Sequence, residues 1–206
     1  MKNKELYNYW SEFNSSLNQN EVEVCYYIFE SFYLSSERYY HNFEHVKDLL
    51  NHIQYEQSIT EEERRILIYT AFFHDLVYDP KRKDNECNSA SVAGYWLKKI
   101  GVSESIIKKV SQIIHVTEKH KSDDCLSNLF IDMDLSILGS EPEKYLEYAN
   151  KIRFEFSHLS NFLYRIGRKR FLKKLLSRPK IYMADTYYSK YEMVARRNLQ
   201  TELNAL

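Results

Sequence analysis

Apolar residues recur every three or four positions along most of this chain, which is the spacing of one face of an α-helix. In residues 21–33 this stripe consists of Val22, Tyr26, Phe29 and Tyr33. A chain with this periodicity is expected to fold mainly as helices packed on their apolar faces. The same spacing continues in residues 41–56, 60–77, 84–101 and 103–120.

Start and stop signals bound these segments. Residues 60–63 (TEEE) and 140–143 (SEPE) each place a hydroxyl three positions before a glutamate, which is the pattern of a capping box at a helix start. Pro80 and Gly101 are expected to end the helices that precede them. We therefore predict about nine helices. The remaining ones are expected at 134–138, from 140 to 177, and from Pro179 to the C-terminus.

The composition argues against a β fold. Glycine and proline together number only 7 of 206 residues, fewer than the turns of a sandwich, a barrel or a Gly-rich nucleotide fold require. Lys+Arg and Asp+Glu are both 29, so the net charge of zero gives no overall case for nucleic acid or an anionic membrane. The longest apolar run, 66–73, is far shorter than the roughly 20 residues of a membrane helix. We expect one all-α domain over residues 1–206, without a membrane segment.

The cysteines and the N-terminus predict a cytoplasmic protein. Cys25, Cys87 and Cys125 are odd in number, far apart and form no CxxC pair, which favours reduced thiols over a disulfide framework or a zinc knuckle. The polar N-terminal residues 1–5 are not followed by the apolar segment of a signal peptide.

Two histidine motifs are expected to meet in space. His41 and His45 lie four positions apart and would share a helix face, and His74 and Asp75 are adjacent near the end of the following helix. If a turn near Ser58 joins two antiparallel helices, the two motifs both lie about 20 Å from the turn, at about 1.5 Å per residue. Imidazole and carboxylate groups that meet in a bundle suit zinc, iron, manganese or a similar divalent ion.

Other interpretations of these residues stay open. An isolated His-Asp pair is often a surface pair, and two histidines four apart on a helix are often packing residues. The pair at 74–75, however, follows the apolar run 66–73, so it is expected inside the protein, where charge is costly unless it is paired or metal-bound. This favours a metal site.

The motifs together resemble a known family. Residues 40–45 (YHNFEH), 73–75 (FHD) and 134–136 (DLS), in this order, resemble the HD superfamily of metal-dependent phosphohydrolases, above all its small bacterial branch. The resemblance spans roughly residues 38–199 and extends more distantly to cyclic-nucleotide phosphodiesterases. It implies an HD-domain, phosphodiesterase-like helical bundle. Two further segments are similar to that branch: 84–90 (DNECNSA) and 192–199 (EMVARRNL).

The resemblance implies a set of metal ligands. By position, His45, His74, Asp75 and Asp134 would bind one divalent ion, which could be Mn, Mg, Co, Fe or Zn. Asp134 is preferred over Asp132 because it directly precedes Leu-Ser in the motif. The order of these two aspartates is the least constrained part of the assignment.

Further residues receive roles beside the metal. His41 would contact a phosphate oxygen or protonate the leaving group, and Asp75 would serve in catalysis as well as in metal binding. Arg38 could hold phosphate with two N–H groups, or be an exposed arginine at a helix start. Glu86 would lie near the site, or only cap a helix, and His120 could bind phosphate or a second metal, or complement a helix C-terminus.

The implied activity is hydrolysis of a phosphate ester of a small metabolite by metal-activated water, with a nucleotide as the expected substrate. Two alternatives remain: a sensor module that binds a nucleotide without hydrolysing it, and a di-iron oxygenase built on the same fold. A homodimer is left open. The basic residues at 169–174 are interpreted as a solvated face, so nucleic acid is not expected as a partner.

Overall fold

A computed structural model describes residues 3–206, so Met1 and Lys2 of the polar N-terminus lie outside the described residues. Within that range the chain forms ten α-helices and one short 3₁₀-helix, and no strand. The predicted all-α class is therefore confirmed. The helices are α1 (Lys4–Phe13), α2 (Gln19–Tyr33), α3 (Phe43–Tyr55), α4 (Glu61–Phe73), α5 (Asn85–Ile100), α6 (Glu104–Thr117), α7 (Cys125–Asp134), the 3₁₀-helix (Leu135–Gly139), α8 (Pro142–Glu155), α9 (Asn161–Leu176) and α10 (Asp185–Ala205).

Two helices were not foreseen from the sequence: α1, and α7 up to Asp134. Each begins at a short polar cap instead of a capping box. The side chain of Asn3 accepts a hydrogen bond from the backbone N–H of Leu6. The carboxylate of Asp124 accepts from both the backbone N–H and the hydroxyl of Ser127. A single capping side chain satisfies one of the unpaired N–H groups at a helix start, which is a weaker sequence signal than a reciprocal pair.

Of the two predicted capping boxes, one is confirmed and one is wrong. Thr60 Oγ1 accepts from the N–H of Glu63 at 3.2 Å, and the Glu63 carboxylate accepts from the N–H of Thr60 at 2.8 Å. The hydroxyl of Ser140 instead donates to the carbonyl of Ile137 at 2.8 Å, so it is not available to cap α8. Proline in the first turn of α8 lacks the N–H that a cap would satisfy.

The chain divides into two compact units, the first ending at Lys119 and the second beginning at His120. The expectation of a single domain over residues 1–206 stays a prediction. No helix of the described residues has both the length and the apolar character needed to span a bilayer. Cys25 is buried and Cys87 and Cys125 are exposed, and all three are free thiols, as predicted.

An aromatic cluster forms the core of the first unit. Trp10 of α1 is fully buried and packs edge-to-face on Phe29 of α2 and on Phe72 of α4, with ring centroids 4.9 Å apart in both pairs. Its indole N–H donates to the carbonyl of Val22 at 3.0 Å. Large aromatic side chains contribute strongly to core stability, and their polar atoms need a partner when buried. This core fixes the end of α4, where His74 follows.

Two buried carboxylates organise the second unit. Glu192 accepts hydrogen bonds from the backbone N–H groups of residues 181 and 182. Asp132 accepts hydrogen bonds from the backbone N–H groups of residues 183 and 184. Arg196 donates to Glu192 at 2.7 Å, an ion pair between residues one helical turn apart in α10. Because Asp132 is fully buried, desolvation raises its pKa to about 6, although the N–H groups of Met183 and Ala184 oppose the shift.

Candidate metal centre

His45 and His74 meet where α3 and α4 pack against each other. His45 lies on the first turn of α3 and His74 directly follows α4, and both are buried, with 4 % and 2 % of their surface exposed. Their Nε2 atoms are 3.2 Å apart. The sequence argument that both histidines lie at the same level of a helical hairpin is therefore confirmed.

The orientation of His74 is set by its second ring nitrogen. Nδ1 lies 3.2 Å from the carbonyl oxygen of Ala71, one turn earlier in α4. A carbonyl accepts only from an N–H, so this contact places a proton on Nδ1. In a neutral His74 ring the lone pair is then on Nε2, where a cation can bind, whereas a protonated ring donates from Nε2 to Asp75. Backbone carbonyls hold metal-binding histidines in this way in many proteins.

Asp75 faces three imidazoles. Its Oδ2 lies 3.0 Å from Nε2 of His74, 3.9 Å from Nε2 of His45 and 3.9 Å from Nε2 of His41. Burial alone raises the pKa of Asp75, but the charges of His74, His41 and His45 and the hydrogen bond from His74 outweigh burial and hold the pKa well below its usual range. Asp75 is therefore a carboxylate at every ordinary pH.

His45, His74 and Asp75 form a His/His/Asp group at metal-binding distances. Their ligand atoms are separated by 3.0, 3.2 and 3.9 Å. A divalent cation with bonds of roughly 2.0–2.2 Å needs neighbouring ligand atoms to lie about 3–3.5 Å apart. Two of the three separations lie in this range, and the third needs a small movement of the Asp75 side chain, which is partly exposed.

His41 lies beside this group, and not on the face of α3 as predicted. Helix α3 begins only at Phe43, because the side chain of Asn42 accepts from the N–H of Glu44 at 2.9 Å and caps it. The His41 ring stacks on Tyr78 with centroids 4.2 Å apart. It remains 19 % exposed, so it can reach both Asp75 and solvent.

Arg38 is buried, with 9 % of its surface exposed, so the alternative of an exposed arginine at a helix start is wrong. Its Nη1 donates to the carbonyls of His41 and Asp75, at 3.1 and 2.7 Å, and its Nη2 donates to the carbonyl of Leu76 at 2.7 Å. A role in holding phosphate stays a prediction.

The pKa of Glu86 is affected by the charges of Asp75 and His74. It lies in the first turn of α5 and is half-buried, and desolvation raises its pKa. A hydrogen bond from its own backbone N–H lowers the pKa of Glu86, the charges of Asp75 and Glu118 raise it, and the charge of His74 lowers it. A role for Glu86 at the site, beyond that of a residue in the first turn of α5, stays a prediction.

In the second unit, His120 faces Asp134. Nε2 of His120 lies 3.7 Å from Oδ2 of Asp134, and the His120 backbone has a φ of 49°, in the left-handed region. Arg178 donates to the carbonyl of His120 at 2.7 Å and supports this conformation. A residue other than glycine held in this region marks a candidate functional position. Both oxygens of Asp132 accept backbone bonds, which agrees with the preference for Asp134 as a ligand.

Sequence reasoning gave no role in the site to Tyr78, and none to Tyr40 beyond its place in the motif at 40–45. The Tyr40 ring lies 5.1 Å from that of His41 and 4.9 Å from that of His45, between the two motif histidines. Their positions next to the histidine motifs were the available signal. Both rings restrict the orientation of the imidazoles.

Comparison with protein-family models, with curated proteins and with solved structures finds no match to this chain. The resemblance to the HD superfamily therefore rests on the motifs quoted above and stays a prediction. The structure itself provides an all-α fold and a His/His/Asp group at the end of the α3–α4 hairpin.

Proposed function

We propose that this protein is a metal-dependent phosphohydrolase whose cation is held by His45, His74 and Asp75. The observation that carries the proposal is the convergence of two buried imidazole nitrogens and one carboxylate oxygen, separated by 3.0–3.9 Å. Histidine and carboxylate ligands suit Zn, Mn, Fe or Co, and Mg to a lesser degree. Two buried histidines beside a charged carboxylate are costly in a core unless a cation or a proton compensates them.

A divalent cation supplies two effects when bound: it lowers the pKa of water toward neutrality and it neutralises charge on a phosphoryl group. The protein contributes a fixed orientation of its ligands. Ala71 holds His74 by Nδ1, and Asp75 is kept ionised by the imidazoles around it. The ligands thus need little rearrangement to accept the ion.

His41 is suited to exchange a proton with the substrate. It is partly exposed, it lies 3.9 Å from Asp75, and Tyr78 stacks on its ring. Departure of an alkoxide from phosphorus requires a proton, and histidine is the side chain that donates one most readily near neutral pH. We assign His41 as the proton donor to the leaving oxygen.

The resemblance adds Asp134 as a fourth ligand and a small phosphate ester, namely a nucleotide, as the proposed substrate. Glu86 and His120 are proposed to contact phosphate or a second cation. These assignments come from the motifs, and the half-burial of Glu86 and the His120–Asp134 pair are consistent with them.

The test combines metal analysis with a phosphate-release screen. The protein is purified without chelator, its metal content is measured by mass spectrometry, and nucleotides, other phosphomonoesters and phosphodiesters are screened with Mn²⁺, Co²⁺, Mg²⁺, Fe²⁺ and Zn²⁺. We expect release that chelator abolishes and that His74→Ala removes. His115→Ala, at an exposed position on α6, is the matched control.

Each alternative has its own result in the same experiment. Two irons per chain and an oxygen-dependent product would favour the oxygenase. Tight nucleotide binding without turnover, unchanged in His74→Ala, would favour the sensor module. If no substrate is hydrolysed with any metal, the proposal is rejected.

A further inference from the structure

The turn that follows α4 depends on side chains for its backbone hydrogen bonds. Helix α4 ends at Phe73, well before Pro80, and residues 75–79 belong to no helix or strand. Buried backbone polar groups need partners. Three side chains supply these partners. Arg38 donates to the carbonyls of residues 75 and 76. Ser89 binds the N–H and the carbonyl of residue 77, and Asn85 binds the N–H and the carbonyl of residue 79.

Of these three side chains, Arg38 also binds the loop that carries His41. Its Nη1 donates to the carbonyl of His41 at 3.1 Å and to the carbonyl of Asp75 at 2.7 Å, so one nitrogen bridges the backbones of two site residues. The guanidinium lies over the rings of Tyr33, at 5.1 Å, and Tyr78, at 5.7 Å. Burial between two aromatic rings restricts the guanidinium to this position.

We infer that Arg38 is a positioning residue that sets the separation of the His41 imidazole from the Asp75 carboxylate. The inference rests on the proposed function, in which these two groups act on the same substrate. Arg38 reaches them through their backbone, and it also contacts Tyr78, whose ring stacks on His41. His41 is thus restrained twice by the same guanidinium, once at its carbonyl and once through Tyr78.

Lysine cannot replace arginine in this role. The bridging requires a planar group that donates in several fixed directions, whereas an ammonium is a compact point charge on a flexible chain. Arg38→Lys keeps the charge and Arg38→Met keeps most of the apolar stem, so both variants are expected to release the His41 loop.

Arg64 provides a matched control in the same hairpin. It donates to the carbonyls of Ile53 and Glu56, where the chain leaves α3, and thus joins backbone segments in the same manner at the opposite end of the hairpin. Arg64→Met is expected to lower the thermal stability as Arg38→Met does, without affecting the site.

The experiment measures the imidazole ring directly by ¹H–¹⁵N NMR of the full-length protein without added metal. The His41 signals are assigned from their loss in His41→Asn. We expect them to shift or broaden in Arg38→Met and Arg38→Lys and to stay as in the wild type in Arg64→Met. With the best substrate from the screen, we expect kcat of the Arg38 variants to fall about tenfold or more while KM changes less than about threefold.

The inference is overturned if the His41 signals of both Arg38 variants match those of the wild type, or if Arg64→Met shifts them equally. Circular dichroism identifies a variant that does not fold, and Arg38→Lys then decides in place of Arg38→Met. If the wild type hydrolyses nothing, the proposed function fails, while the NMR comparison still decides whether Arg38 positions His41.

Discussion

His45 and His74 are 29 residues apart along the chain, yet their Nε2 atoms lie 3.2 Å from each other in the interior of the first unit. Two imidazole nitrogens at this distance can share one proton, or both can bind one cation. Since metal ligation requires the neutral ring, cation binding and protonation compete at this pair.

The first prediction concerns cation affinity. We expect His45→Ala and His74→Ala each to weaken Co²⁺ or Mn²⁺ binding by about 100-fold or more. Removing a residue that only orients a metal ligand lowers metal affinity by about 10–100-fold, and removing the ligand itself should cost at least as much. Isothermal titration calorimetry on chelator-treated protein measures the affinity. His115→Ala should bind as the wild type does. Equal affinities for all four proteins would exclude this pair as ligands.

A cation that binds only the folded chain should also stabilise it. At a cation concentration of about 100 times Kd, the free energy of unfolding should rise by about 2.7 kcal/mol. For a chain of this length that corresponds to a rise in Tm of about 5–10 °C. Differential scanning calorimetry with Mn²⁺ and with chelator measures the shift. His74→Ala should lose it, and a shift of the same size in that variant would place the stabilising cation elsewhere.

Asp132 and Asp134 should respond to mutation in opposite ways. Asp132 accepts three backbone N–H bonds from residues 183 and 184 in a fully buried position, so Asp132→Ala should lower the free energy of unfolding by about 1–3 kcal/mol. Asp134→Ala should change stability little and weaken cation binding about tenfold or more. Urea unfolding and calorimetric titration of both variants test the pair. The reverse pattern would make Asp132 the ligand.

Much of the hairpin that carries the site follows from local rules. The capping box at Thr60 and the rise per residue of a helix were sufficient to place His45 opposite His74. The sequence placed His41 on the same helix as His45. The Asn42 side chain instead caps α3 by accepting from the N–H of Glu44, so the helix begins after His41. This cap cannot be read from apolar periodicity.

The remaining contacts depend on distant partners. The guanidinium of Arg38 binds carbonyls 37 and 38 residues later, and Asp132 binds N–H groups 51 and 52 residues later. Backbone groups are present at every residue, so the sequence contains no signal for which of them a side chain will reach. Only the packed chain distinguishes Asp132 from Asp134, or a backbone-binding Arg38 from one that faces substrate.

Tyr69 provides a prediction on alkaline stability. Its hydroxyl donates to Asn14 at 2.8 Å in the core, and desolvation, partly offset by Arg65, raises its pKa to about 12. A phenol whose pKa is higher in the folded state favours folding below pH 10, and this contribution is lost as the pH rises from about 10 to 12. Between about pH 10 and 12, the free energy of unfolding of the wild type should therefore fall relative to that of Tyr69→Phe. Urea unfolding of both proteins over this range measures the difference. A constant difference would contradict the shift.

Tyr78 should act on turnover through its ring and not through its hydroxyl. The ring stacks on His41 at 4.2 Å, so Tyr78→Phe keeps the contact that orients the imidazole, whereas Tyr78→Leu removes it. A general acid raises the reaction rate by about 10²–10⁴-fold, and it does so only when its proton points at the leaving oxygen. We therefore expect kcat to fall about tenfold or more in the leucine variant and to stay within about threefold of the wild type in the phenylalanine variant. Cation affinity, measured alongside, should be unchanged in both, since Tyr78 lies beside His41 and not among the proposed ligands. Equal losses in the two variants would instead assign the effect to the hydroxyl, and a loss of cation binding would show that the ring supports the ligands themselves.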